Sequence, residues 1–162
     1  MNQFRDGLKV HKQELLNILF KKEVKKVNES KTIKFLRLSY WAGAIFDALL
    51  LIPMLSPKVA SELLGIPNFT PGSDYRYAIY IAASLMAGWV SLLIWADRKP
   101  VERRFVLLLT VCPVLVCLIS AGIYAVTSAF VPVGYMLPIW IQQGILVLLF
   151  GFSYLNANKL EA

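Results

Sequence analysis

Hydrophobic and polar positions fall in long blocks along this chain, without the short alternation of a strand or of a surface helix. Four apolar runs, about 35–55, 75–96, 105–130 and 136–156, are separated by short polar or turn-forming segments. An α-helix needs about 20 apolar residues to cross a hydrocarbon core of ~30 Å, and each run has that reach. The pattern predicts an all-α fold: an integral membrane four-helix bundle, spanning 35–156, with an N-terminal basic amphipathic segment over 1–34 and a short tail over 157–162.

Within 1–34, Leu8, Leu15, Leu16, Leu19, Phe20, Val24 and Val27 recur at roughly helical spacing, and Lys12, Lys21, Lys22, Lys25 and Lys26 surround them. That is the pattern of a helix lying on an anionic leaflet. It also fits a solvated tail whose lysines only set orientation, or a docking site for a partner helix. Asn28-Glu29-Ser30 breaks the pattern before the first span. Between the first two spans, Ser56-Pro57 is a helix start and Gly65 a helix stop, which predicts an interfacial helix over 57–64. An irregular stretch with Pro67, Pro71 and Gly72 follows, and Asn68-Phe69-Thr70 matches a glycosylation sequon in form only. Ser73 or Asp74 caps the second span. Its Ser84/Gly88 and Ala83/Ala87 pairs are small-xxx-small spacings that let another helix approach closely. Pro113 is expected to distort the third span, and Val131–Tyr135 to form a tight turn before the fourth.

Composition agrees with the pattern. The chain of 162 residues is 57% hydrophobic with mean hydropathy +0.59, which leaves room for one membrane unit and no sizeable soluble domain. The net charge of +7 is concentrated rather than spread, because ten of the seventeen Lys and Arg lie within the first 37 residues. Four more (Arg98, Lys99, Arg103, Arg104) lie in the loop between spans two and three, whereas Lys58 and Arg76 are the only two on the opposite side. Positive-inside then places both termini and the middle loop in the cytoplasm of a multi-pass cell-membrane protein. Lys21, Lys22, Lys25, Lys26, Arg98, Lys99, Arg103 and Arg104 are the expected contacts to anionic headgroups, and nucleic acid is not an expected partner. Tyr40 and Trp95 near one set of ends, with Tyr75, Tyr77 and Tyr135 near the other, read as interfacial belts. The first run is too long for a signal peptide and is expected to stay as an anchor. Cys112 and Cys117 do not share a helical face and read as apolar packing residues.

Candidate chemistry centres on Asp47, ~12 Å from the end of its run at 1.5 Å per residue. A carboxylate at that depth costs roughly 2.5–3.5 kcal/mol on insertion-derived scales, so it should be either satisfied or used. Helical spacing groups Gly43 with Asp47; Tyr77, Tyr80, Ser84, Gly88 and Trp95; Cys117, Ser120, Tyr124 and Ser128; and Trp140, Gln143, Val147, Gly151 and Tyr154. Convergence of these faces would surround Asp47 with Tyr80, Ser84, Ser120, Tyr124 and Gln143, with Gln143 rather than Gln142 turned inward. Such an Asp47 either fixes helix register through hydrogen bonds, titrates or anchors a ligand in a small cavity, or meets a basic residue of a partner. The lone His11 lies in the basic tail. There is no metal-ligand spacing, phosphate loop or nucleophile elbow, so no cofactor, metal or catalytic residue is assigned.

With four spans and cytoplasmic termini the chain resembles the DoxX-like and sterol-isomerase-like families in outline. That likeness implies a four-helix bundle with an apolar cavity between the helices and assigns no residue. Three functions compete: a binding or accessory protein for a lipophilic ligand or a larger membrane complex, a small oligomeric proton-coupled transporter using Asp47, and an isomerase-like membrane enzyme. The first is the expected one, acting alone, as a homo-oligomer or beside a partner membrane protein.

Overall fold

The structure, a computed structural model, describes residues 2–67 and 69–159; before Leu16, and at Ile18, it describes the backbone only. The side-chain expectations for Leu8, His11, Lys12 and Leu15, the sequon at Asn68 and the last three residues of the tail lie outside the described residues. All regular structure among the described residues is helical: α1 Asn2–Leu55, α2 Pro57–Leu64, α3 Ser73–Asp97, α4 Phe105–Thr127 and α5 Val133–Asn158. Four of them, α1 over Leu19–Leu55 together with α3, α4 and α5, are long and apolar enough to cross a membrane.

The helix ends follow local chemistry. Ser56 is extended, Pro57 opens α2, and Gly65 closes it at φ 65, a left-handed conformation that costs glycine little. The Tyr135 ring lies where a Cβ on Gly65 would be, so the position excludes a side chain twice over. Gly72 precedes α3, and Asp74 sits in its first turn, where the helix dipole favours a carboxylate. In α4, Pro113 has no N–H to donate, and the chain passes through a π-helical segment, Thr110–Leu115, in place of the ordinary ladder. The α4–α5 turn occupies 128–132, with Val131 buried, so α5 starts three residues before the expected 136.

One expectation is corrected. α1 runs unbroken through Asn28-Glu29-Ser30. Losing the apolar pattern there removes a face to bury, but Asn, Glu and Ser each cost only a fraction of a kcal/mol in a helix and keep their N–H groups. The result is a single helix about 80 Å long at 1.5 Å per residue, far more than a ~30 Å hydrocarbon core takes up.

α1 and α5 form a central antiparallel pair, with α3 packed along α1 and α4 along α5. Residue pairs fix the register. Ser39 meets Ser153, and Arg37 and Trp41 both meet Asp97. A Cβ on Gly43 would touch Phe150 at 2.8 Å and Leu93 at 3.2 Å, so glycine there sets how closely α1 approaches its two neighbours. On the far side Gly122 faces Trp140 and Met136. The best-buried side chains (Leu36, Tyr40, Leu93, Leu107, Phe150) all lie toward one end, the end carrying the Arg98–Arg104 loop and the lysine-rich part of α1. That end is called the basic end below, and the opposite one the α2 end.

Candidate functional site

At the basic end the buried polar groups are bonded. Ser39 donates to the Phe35 carbonyl at 3.0 Å and pairs with Ser153 at 2.6 Å. The fully buried Tyr40 donates to the carbonyls of Arg103 at 3.0 Å and Pro100 at 3.3 Å, holding the loop against α1. Arg37 Nε and Trp41 Nε1 share the Asp97 carboxylate at 3.1 and 3.3 Å. Arg103 stacks over Trp95 and donates to its carbonyl, and Arg104 donates to Asn158 at 2.7 Å.

One to three turns further along the same helices the situation reverses. Asp47 is 8% exposed and Gln143 9%, yet Asp47 Oδ2 and Gln143 Oε1 have no hydrogen-bond partner among the described residues. The indole N–H groups of Trp89 and Trp140 are buried and unpartnered too. Carrying the register on from Gly43 places Trp89 level with Asp47, and Gln143 and Trp140 within about 9 Å along the axis. Two acceptors and two donors therefore gather in one short layer without satisfying each other. Asp47 takes part in neither of the ion pairs Arg37–Asp97 and Lys99–Glu102.

Immediately beyond this layer, toward the α2 end, lies a cavity of about 260 Å3. Leu50, Met86, Leu118 and Ile139 line it, with Ala60 and Leu63 of α2 on its border, and it is partly open to the surface. Leu50 follows Asp47 by three residues and Ile139 precedes Gln143 by four, so both polar side chains share helix faces with cavity-lining residues. The arrangement is an apolar cavity about one helical turn from an unsatisfied polar layer, bordered by the amphipathic α2. Chemically, it suits a molecule with an apolar body and a compact end able both to donate and to accept hydrogen bonds.

The sequence-derived candidates divide. Asp47 and Gln143 are brought into this layer, and Gln143 is the inward member of its pair. Tyr80, Ser84, Ser120 and Tyr124 are not: all four are exposed on the outer faces of α3 and α4, as are Tyr77, Gly88, Cys117 and Ser128. The expected convergence of four polar faces is corrected on that point. Ser84 and Ser120 donate to the carbonyls of Ile81 and Val116 in their own helices, so their hydroxyls need no interior partner. Tyr40, expected in an interfacial belt, is instead fully buried. Trp89 carries no such signal in the sequence, being an apolar-looking residue whose one polar atom matters only at its depth in the bundle. Of the basic residues, Lys21, Lys22, Lys25, Lys26 and Arg98 are exposed, Lys99 pairs with Glu102 at 2.8 Å, and Arg103 and Arg104 spend their guanidinium groups on the chain itself. Lys21, Lys25, Lys31 and Lys159 line a cleft of about 580 Å3 between α1 and the end of α5.

No protein-family model matches the chain, and neither a curated protein nor a solved structure matches it. The likeness in outline to four-span families thus rests on span count and charge distribution alone.

Proposed function

We propose that this chain is a multi-pass cell-membrane protein, a four-helix bundle with both termini cytoplasmic, that binds a lipophilic small molecule in the chamber under α2. The polar end of that molecule lies on Asp47 and Gln143, and its apolar body fills the space between Leu50, Met86, Leu118 and Ile139. The observation that carries this reading is the pair of nine-tenths-buried, unpartnered oxygens about one helical turn from residues that line an apolar cavity. An unsatisfied buried polar group costs about 1–3 kcal/mol, and no hydrogen bond from a described residue compensates for it. The charge asymmetry supports the orientation: the basic end faces the cytoplasm and anionic headgroups, and α2 lies at the other surface.

The test uses delipidated protein in detergent. Adding a total lipid extract of the producing cells should raise the melting temperature of wild type, since a ligand that binds only the folded state stabilises it. Asp47→Leu, which removes the polar anchor, should remain folded and lose that rise. An equal rise in both proteins would reject the site.

A further inference from the structure

On the outer face of the molecule, away from the chamber, a groove of about 550 Å3 runs between α1 and α5. Phe46 forms one side; Gly134, Leu137, Ile141, Gln142 and Ile145 form the other. Everything in it is apolar except Gln142, whose amide is partly exposed and makes no hydrogen bond to a described residue. Gln142 lies about 14 Å along α5 from its start, a depth at which lipid offers neither donor nor acceptor. Around it Ile141 is 63% exposed and Ile145 60%, and a Cβ on Gly134 or Gly144 would meet nothing, so another helix can come close.

We infer that this groove is a homodimer interface, in which a second copy of the chain packs α5 against α5 about a twofold axis. The chemistry selects that occupant. A primary amide carries donors and an acceptor, so two glutamines at the same depth satisfy each other reciprocally, and a twofold axis normal to the membrane brings equal depths together. The competing outer face, on α3, has the Ser84/Gly88 spacing, but Ser84 and Ser91 are already bonded to their own helix.

The test is disulfide cross-linking of the full chain in native membranes, on a background in which Cys112 and Cys117 are alanine. Ile145→Cys should give a cross-linked dimer and Leu85→Cys on α3 should not. Adding Gln142→Leu to Ile145→Cys should lower the dimer fraction about tenfold, while Gln142→Asn should retain it. Absence of dimer, cross-linking through Leu85→Cys instead, an adduct with a different protein, or insensitivity to Gln142→Leu would each overturn the proposal.

Discussion

The two ends of the same helices solve the problem of buried polarity in opposite ways. At the basic end, Ser39 has Ser153, Tyr40 has the loop carbonyls, and Asp97 has both Arg37 and Trp41, and there the apolar side chains reach zero exposure. Toward the α2 end, Asp47, Gln143, Trp89 and Trp140 bury polar atoms that no described residue satisfies, and the packing opens into a cavity. The same antiparallel geometry is available at both ends, so the difference lies in the side chains and in the connections between the helices. The Arg98–Arg104 loop, drawn in by Tyr40, holds α3 and α4 together at one end. At the other, α3 joins α1 through α2 and its turns while α4 joins α5 through 128–132, and Met86 of α3 and Leu118 of α4 both line the cavity. Bonded polar groups specify a structure; the orphaned ones near the cavity are the groups that the proposed ligand would satisfy.

That contrast can be broken outright at the point where both halves meet. Gly43→Leu drives a side chain into Phe150 and Leu93 and should separate α1 from both neighbours, abolishing monodisperse protein in size-exclusion chromatography. Next in size, and opposite in sign, Asp47→Leu removes a buried orphan and should raise the stability of ligand-free protein by about 1–3 kcal/mol in reversible unfolding. At the basic end the corresponding deletions should lower it: Tyr40→Phe by about 0.5–1.5 kcal/mol, and Ser39→Ala by about 0.6 kcal/mol and no more than about 1.7. Smallest of all, Ser84→Ala and Ser120→Ala, on outward faces with self-satisfied hydroxyls, should stay within about 0.5 kcal/mol of wild type. A uniform loss of stability across Asp47→Leu, Tyr40→Phe and Ser39→Ala would erase the distinction between the ends.

Much of the helical outline was legible from local chemistry alone. Run length marked the four long apolar helices, Ser56-Pro57 and Gly65 marked α2 to the residue, and Pro113 marked the distortion in α4. The unbroken α1 was not legible, because a gap in the apolar pattern at Asn28–Ser30 says that no face is buried there and leaves the backbone ladder untouched. The candidate site was half legible. Asp47 and Gln143 stood out as polar residues inside apolar runs on faces that converge. Tyr80, Ser84, Ser120 and Tyr124 looked equally eligible, since helical spacing alone does not say which face turns inward, and a serine hydroxyl bonded to its own backbone can face either way. The bonded network at the basic end depends on pairs such as Ser39 with Ser153, 114 residues apart, which no local pattern records.

The measurement that bears most directly on the contrast is native mass spectrometry of wild type, Asp47→Leu and Ser39→Ala, each released from native-lipid nanodiscs. One discrete small-molecule adduct is expected on wild type and on Ser39→Ala and none on Asp47→Leu, because the ligand belongs to the unsatisfied layer and not to the bonded end. An adduct that persists on Asp47→Leu, or its absence from all three proteins, would contradict the assignment of the chamber as a binding site.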